Sequence, residues 1–142
     1  MKHRNTGTLI RKLKEAKIFE SFCVENAEEL TETDFCAYLE KLCREKHTEA
    51  GKVIKASDID RTYGYQIFNG TRKPSRDKVI QLAFGLGLDV EETQSLLRAA
   101  DKSILYPRIK RDAAIIFAVS KKMRLTETQI FLMSLGMSII GE

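Results

Sequence analysis

The sequence has few of the residues that interrupt helices, and it lacks a long apolar run. Its 142 residues include only two prolines, Pro74 and Pro107, and no tryptophan. Alternating β-branched runs of the kind that form strands are also few. The longest apolar run, Ala113 to Val119, is too short to span a bilayer. The N-terminus is basic but has no apolar core followed by a small-residue cleavage site, so we expect no signal peptide and a cytoplasmic protein.

The cysteines and histidines predict neither a disulfide nor a metal site. Cys23, Cys36 and Cys43 are odd in number and show no C-x-x-C spacing. Cys36 and Cys43 fall on one helical face but about 10.5 Å apart along the axis, too far for a disulfide. Reduced core thiols are therefore expected. His3 and His47 have no neighbours that resemble metal ligands.

The sequence also lacks the motifs of common enzymes. It has no phosphate loop, no H-E-x-x-H, no cysteine–histidine pair and no carboxylate pair on a recognisable scaffold. We therefore expect a protein that is not an enzyme and that uses no cofactor or metal.

Charge is unevenly distributed along the chain. The net charge is +4, and residues 1–18 hold six basic residues against one acid. Residues 19–40 hold seven acids and no lysine or arginine, whereas residues 59–78 and 106–124 are again basic. A basic patch with an acidic segment elsewhere is compatible with nucleic-acid binding. The alternative is that these runs are ordinary solvated faces.

Helical periodicity is present in nearly every segment. One apolar stripe follows i, i+4, i+7, i+8 spacing from Phe35, and another follows i, i+3, i+4, i+7 spacing from Val79. Thr33 or Asp34 can cap the first helix, and Ser75 can cap the second. We expect an all-α protein of about eight or nine short helices.

The sequence repeats itself after 35 residues, so that residues 76–104 align with residues 111–139. The identical pairs are Arg76/Arg111, Asp77/Asp112, Ile80/Ile115, Ala83/Ala118, Glu92/Glu127, Thr93/Thr128, Gln94/Gln129, Leu97/Leu132, Ser103/Ser138 and Ile104/Ile139. Each copy predicts a helix, a short turn and a second helix. Residues 107–140 should therefore form an α-hairpin like residues 75–104.

The second helix of each hairpin is expected to begin at a capping signal. Asp89 with Glu92 forms a D-x-x-E signal, and Thr126 with Gln129 forms a T-x-x-Q capping box.

Residues 50–69 predict two short helices joined by a tight turn. The first runs from about Ala50 to Ser57. The second begins after Asp60, whose side chain can cap it, and stops at Gly70, giving a recognition helix at about residues 60–69. This arrangement is a helix-turn-helix, in which the first helix supports the second against the major groove.

The stretch "SDIDRTYGYQIFNGTRKPSRDKVIQLAFGLGL", with its R-x-x-x-x-Q-I-F-x-G-x-R-x-P-S spacing, resembles the XRE, or lambda-repressor-like, helix-turn-helix family. The resemblance covers about residues 34–100. It implies a five-helix domain that binds double-stranded DNA sequence-specifically, and a transcriptional regulator of the bacterial or phage type, often dimeric. We expect an N-terminal helical extension at 1–33, this domain at 34–104, and a C-terminal hairpin at 105–142.

If Ile59, Tyr63 and Ile67 point inward, the opposite face of the recognition helix is polar. The residues expected to face bases are Arg61, Thr62, Tyr65, Gln66 and Asn69. The residues expected to face phosphates are Arg72, Lys73 and Arg76. The alternative for each is a solvated side chain with no ligand.

Several positions depart from the family pattern. Ala50 stands where the family often has a phosphate-binding glutamine, and Asp58 stands where the turn usually has glycine, although aspartate tolerates a left-handed backbone. Asp60 adds a second negative charge near the phosphates. Gly64 replaces an aliphatic residue inside the helix, where glycine costs about 1 kcal/mol relative to alanine. Because Ile54 replaces a small residue on the facing helix, we expect its side chain to fill the space that Gly64 vacates.

The flanking segments are apolar enough to need partners. In the N-terminal segment, Leu9, Leu13, Ile18, Phe19 and Phe22 indicate one or two amphipathic helices. These pack on the core, or residues 2–17 form a basic DNA-contacting arm. The apolar residues of the C-terminal hairpin are Ile115, Ile116, Phe117, Val119, Ile130, Phe131, Leu132, Met133 and Ile139. This hairpin either packs on residues 75–104 or forms a homodimer surface.

A second function remains open on the sequence alone. A helical adaptor or antitoxin-like interaction protein, with weak or no DNA binding, is favoured by Ala50, Asp58 and Asp60. It is opposed by Arg61, Gln66 and the basic "GTRKPSR" turn.

Overall fold

The computed structural model describes residues 6–15 and 35–141, and within them every regular element is an α-helix. The helices are α1 (Thr6–Glu15), α2 (Phe35–Glu45), α3 (Ala50–Ala56), α4 (Arg61–Phe68), α5 (Arg76–Leu86), α6 (Val90–Ala99), α7 (Lys110–Ser120) and α8 (Leu125–Ser134). The expected all-α class is confirmed for this part of the chain. None of these helices has the length and apolar character needed to cross a membrane.

Helix α1 belongs to a unit of residues 1–33, and α2 to α8 belong to a second unit of residues 34–142. In α1, the side chains of Ile10 and Leu13 are about half exposed. Several predicted features lie outside the described residues, namely the caps at Thr33 and Asp34, the thiol of Cys23, and the apolar residues Ile18, Phe19 and Phe22.

Local sequence signals determine where α4 and α5 begin and end. The Asp60 carboxylate accepts the N–H of Tyr63 at 3.1 Å, and the Ser75 hydroxyl accepts the N–H of Lys78 at 3.3 Å. Gly70 follows α4 with φ +83°, a left-handed conformation that glycine adopts without steric cost. The two predicted caps and the predicted stop are confirmed.

The predicted start of α6 is also confirmed. The Asp89 carboxylate accepts the N–H of Glu92 at 2.8 Å, and the Glu92 carboxylate accepts the N–H of Asp89 at 3.1 Å. This reciprocal pair satisfies two N–H groups that the helix itself leaves unbonded.

The predicted capping box at the start of α8 is wrong. The helix begins at Leu125, one residue before Thr126, so Thr126 is already inside it. Glu127 instead accepts the backbone N–H of Arg124 at 3.0 Å. The Gln129 amide instead bonds to the backbone of Ile140.

The two hairpins, α5–α6 and α7–α8, repeat the same side-chain clamp 35 residues apart. The Gln94 amide donates to the carbonyl of Leu105 at 2.8 Å and accepts its N–H at 2.7 Å. Gln129 makes the same two bonds with Ile140, both at 2.8 Å. Positive φ angles recur at matching positions, in the pairs Gly87/Lys122 and Asp101/Gly136. The 35-residue sequence repeat is therefore a structural repeat.

Each hairpin binds the other through one arginine and one aspartate. The Arg76 guanidinium donates to both carboxylate oxygens of Asp112, at 3.2 and 2.8 Å. Arg111 donates to both oxygens of Asp77, at 3.3 and 3.1 Å. Each guanidinium also donates to two carbonyls of its own copy, Ser103 and Ile104 for the first and Ser138 and Ile139 for the second. Such reciprocity is the pattern of a two-fold, isologous contact.

One apolar core connects the hairpins with α2, α3 and α4. Helix α5 lies at its centre, packed against α3, α6 and α8. Val79, Ile80 and Leu82 of α5 are fully buried, and so are Ile115 of α7 and Leu132 of α8. The C-terminal hairpin therefore packs on the first hairpin within one chain.

The two hairpins differ in what covers them. Helix α3 lies so close to α5 that a Cβ on Gly85 would be 2.7 Å from the carbonyl oxygen of Val53. Leu82, on the same helix, is fully buried. The corresponding residues of α7, Ser120 and Phe117, are exposed, Phe117 by 48%. The face of α7 that matches the α3-covered face of α5 is thus open among the described residues.

Asp77 has a perturbed pKa at the contact between the hairpins. Burial raises the pKa of its carboxyl. Hydrogen bonds from Arg111 and the Gly141 N–H, with the charges of Arg111 and Arg76, outweigh burial, so the pKa lies below its ordinary value. The carboxylate therefore stabilises the fold fully above the unfolded pKa of about 3.9. This stabilisation is lost as the pH falls through the folded pKa.

Replacing this carboxylate should weaken the contact between the hairpins in a pH-dependent manner. Asp77→Asn should lower the free energy of unfolding at pH 7 by about 1–3 kcal/mol, because the partly buried Arg111 guanidinium loses a charged partner. Urea unfolding at pH 7 and pH 3 measures the effect, which should be smaller at pH 3. The exposed control Glu91→Gln should change stability by less than about 1 kcal/mol. An undiminished effect of Asp77→Asn at pH 3 would contradict this account.

Candidate nucleic-acid interface

Helix α4 has one buried and one accessible face, divided as the sequence predicts. Ile59 and Ile67 are buried and Tyr63 is half-buried. The expected base-facing residues Arg61, Thr62, Tyr65 and Asn69 are exposed, and Gln66 is half-buried. All five side chains are therefore accessible, wholly or in part, on a single helix and its C-cap.

The turn between α3 and α4 is built on a left-handed aspartate. Asp58 has φ +54°, so it adopts the conformation expected where the family pattern has glycine. The amide of Gln81 on α5 donates to the carbonyl of Ser57 at 3.0 Å and to that of Asp58 at 3.4 Å. The turn that precedes α4 is therefore attached to α5.

Gly64 permits a close contact between α3 and α4. A Cβ at this position would lie 2.5 Å from Cγ2 and 2.7 Å from Cγ1 of Ile54, well inside van der Waals distance. Ile54 is only 2% exposed. The expectation that the Ile54 side chain fills the space vacated at Gly64 is confirmed.

Two of the side chains expected to face bases lie against each other. The Arg61 guanidinium carbon is 5.9 Å from the centroid of the Tyr65 ring. The hydroxyl end of Tyr65 reaches α3, since a Cβ on Gly51 would be 2.9 Å from its oxygen. Tyr65 therefore bridges from α4 to α3 across the accessible face.

A cleft of about 450 Å³ runs beside α4. Its lining comes from α2, α3 and α4, and consists of Glu40, Cys43, Arg44, Ala50, Tyr65, Phe68 and Asn69. Tyr65 and Asn69, both expected to face bases, therefore lie at the edge of a groove.

The turn after α4 carries two of the expected phosphate-facing residues. Arg72 and Lys73 are both exposed. The Arg72 N–H donates to the carbonyl of Gln66 at 3.1 Å, and the Thr71 N–H donates to the Asn69 side chain at 2.9 Å. These bonds hold the turn against the end of α4.

Arg76, the third expected phosphate-facing residue, is directed toward the second hairpin. Its guanidinium is bonded to Asp112 and to two carbonyls, and its side chain is 28% exposed. Sequence reasoning missed the pairing because Asp112 is 36 residues away.

Sequence reasoning also missed an aromatic support beneath the turn. The Tyr63 ring centroid lies 4.6 Å from the guanidinium carbon of Arg72 and 5.8 Å from Nζ of Lys78. No local spacing rule links a residue of α4 with a loop residue and a residue of α5, so only the three-dimensional arrangement reveals it.

Two negative residues lie at the edge of this surface. Asp58 and Asp60 are both exposed. The Asp60 carboxylate caps α4 through the Tyr63 N–H, so part of its hydrogen-bonding capacity is already used.

Of the two thiols near this surface, that of Cys43 belongs to the core, and that of Cys36 is half-buried and donates to the carbonyl of Ile67 at 3.4 Å. Neither Cys36 nor Cys43 forms a disulfide. Burial, with the negative charge of Glu40, raises the pKa of the Cys43 thiol, which keeps it protonated. Among the residues that the structure describes, no group of His, Cys, Asp and Glu side chains is arranged to hold a metal ion.

Comparison of the chain with family models, with characterised proteins and with solved structures finds no match.

The contact between Ile54 and Gly64 makes a prediction about stability. Ile54→Ala should lower the free energy of unfolding by roughly 2–5 kcal/mol, because it leaves a cavity in a buried site. Gly64→Ala should also destabilise, because the added Cβ overlaps Ile54, although alanine otherwise favours helices.

The double variant tests whether these two effects share one cause. Ile54→Ala with Gly64→Ala should be more stable than the sum of the single changes predicts, since each relieves the defect of the other. Urea unfolding of the four proteins measures the coupling. Additive effects, or a melting temperature of Ile54→Ala equal to that of the wild type, would show that the contact is unimportant.

Proposed function

We propose that this protein is a sequence-specific double-stranded DNA-binding transcriptional regulator. In this proposal α2 to α6 form a lambda-repressor-like domain, α3 and α4 form its helix-turn-helix, and α4 is the recognition helix. The observation that carries the proposal is the accessible face of α4. On this face, side chains that can bond base edges are followed directly by a turn with two exposed cations, Arg72 and Lys73, called here the cationic turn.

The chemistry of that face suits the edges of bases. Arginine bonds guanine bidentately in the major groove, and glutamine and asparagine bond adenine. Arg61, Gln66 and Asn69 supply these groups, while Thr62 and Tyr65 can contact a thymine methyl or a phosphate. Asn69 already accepts the Thr71 N–H, so its free amide N–H groups are the ones available to a base.

The phosphate-facing part of the proposal rests on Arg72 and Lys73. Both are exposed, and the backbone of their turn is tied to α4 by the bond from the Arg72 N–H to Gln66. Because Arg76 is bonded to Asp112, we assign it to holding the hairpins together.

A selection experiment tests the proposal. A duplex pool of random sequence is enriched with the protein, and the selected duplex is titrated in mobility shifts at two salt concentrations. The expected result is a sequence-selective shift whose log affinity falls by about 0.9 per log unit of salt for each phosphate neutralised. No shift at either salt concentration would contradict the proposal.

Two arginine variants separate base reading from phosphate contact. Arg61→Ala should cost about 1–3 kcal/mol on the selected duplex and relax the preference at one position. Arg72→Ala should weaken binding to every duplex and reduce the salt slope by about 0.9. Arg98→Ala, which removes an exposed arginine of α6, is the control and should change neither. Equal behaviour of Arg61→Ala and Arg98→Ala would remove Arg61 from the reading face.

The second candidate is a helical adaptor or antitoxin-like interaction protein. The exposed carboxylates Asp58 and Asp60 favour it, as does the open apolar surface of the second hairpin, where Phe117 is 48%, Ile130 67% and Met133 65% exposed. Absence of a DNA shift, with the fold intact, would favour this function over the first.

The same apolar surface supports a homodimer as part of the leading proposal, since two recognition helices on one axis read two half-sites. Ile130→Glu should then shift the sedimentation coefficient from dimer to monomer without loss of helicity. Ser103→Glu, which adds the same charge at an exposed position of the first hairpin, is the matched control. Identical sedimentation of wild type and Ile130→Glu would exclude a dimer through this surface.

A further inference from the structure

Tyr63 lies beneath the cationic turn and contacts two positive side chains from different elements. The Arg72 guanidinium carbon is 4.6 Å and the Lys78 ammonium 5.8 Å from the ring centroid. Both distances lie within the range in which a cation is attracted to an aromatic face. The ring itself is half-buried, so its position is fixed by the packing of α4.

Backbone bonds fix the two attachment points of these cations. The Arg72 N–H donates to the carbonyl of Gln66 at the end of α4. The Lys78 N–H donates to the Ser75 hydroxyl at the start of α5. One ring of α4 therefore orients a cation from the turn and a cation from the next helix.

From this geometry, and resting on the proposed DNA-binding function, we propose two assignments. Lys78 is a phosphate-binding residue, and Tyr63 is the positioning residue that holds Lys78 and Arg72 ready for the DNA backbone. Together they form a cationic pair, defined as Arg72 and Lys78 supported by Tyr63. Arg76 takes no part, because its guanidinium is bonded to Asp112.

Preorganisation is the physical basis of the role of Tyr63. Long cationic side chains lose rotamer freedom when they bind a phosphate, and this lowers affinity. A ring that already restricts both side chains in the free protein reduces that loss. Removing the ring should therefore lower affinity while leaving the number of phosphates neutralised unchanged.

The experiment compares variants by mobility shift on the selected duplex and on an unrelated duplex, each at two salt concentrations. Tyr63→Leu should weaken binding to both duplexes by roughly five- to fiftyfold, with the salt slope unchanged. Tyr63→Phe, which keeps the ring, should bind like the wild type. Lys78→Gln should reduce the salt slope by about 0.9, as expected for one phosphate contact.

The same Tyr63→Leu change in a protein without the two cations distinguishes their orientation by the ring from a purely structural effect of the ring. In the protein carrying Arg72→Gln and Lys78→Gln, adding Tyr63→Leu should change affinity no further, since the side chains that the ring orients are gone. If Tyr63→Leu fails to fold, as circular dichroism would show, Tyr63→Met replaces it as the variant without a ring, and Lys78→Gln decides the assignment of Lys78 in either case.

The outcomes separate this inference from the proposal on which it rests. A wild-type protein that shifts no DNA overturns both. A wild-type shift with an unchanged slope for Lys78→Gln overturns the assignment of Lys78. A loss from Tyr63→Leu that persists in the doubly neutralised background overturns the positioning role, while DNA binding itself stands.

Discussion

The close contact of Ile54 with Gly64 is the constraint on which the candidate interface depends. It brings α3 and α4 nearer than a side chain at position 64 would allow. Because α3 also packs on α5, and Gln81 of α5 binds the turn at Asp58, the direction of α4 is set by buried contacts. The polar face of α4 consequently stays accessible, although Tyr65 also reaches α3 and Asn69 also holds the following turn.

The duplicated hairpins form the base that carries this interface. Reciprocal pairs between Arg76 and Asp112 and between Arg111 and Asp77 join the two copies. Only the first copy is covered by α3, and on the second copy the matching face is open at Phe117. The same supersecondary unit thus serves once as the support for α4 and once as an accessible apolar surface.

The features that the sequence predicted correctly depend on neighbouring residues. The cap of α4 follows from Asp60 and its stop from Gly70, both within one turn of the helix, and the Ile54–Gly64 contact joins two helices that are neighbours in the sequence. The features that the sequence did not predict depend on pairing between residues far apart in the chain. Arg76 and Gln129 have several possible partners, and sequence alone does not distinguish a phosphate contact from a bond to Asp112, or a helix cap from a clamp across a loop.

Hydrogen–deuterium exchange with and without the selected duplex tests the central claim most directly. If α4 reads DNA, protection on binding should concentrate in residues 61–78, where the accessible face of α4 and the cationic turn lie. Residues 110–134 should exchange at the same rate with and without the duplex. Protection that avoids residues 61–78, or no change anywhere at a saturating duplex concentration, would contradict the assignment of α4 as the recognition helix.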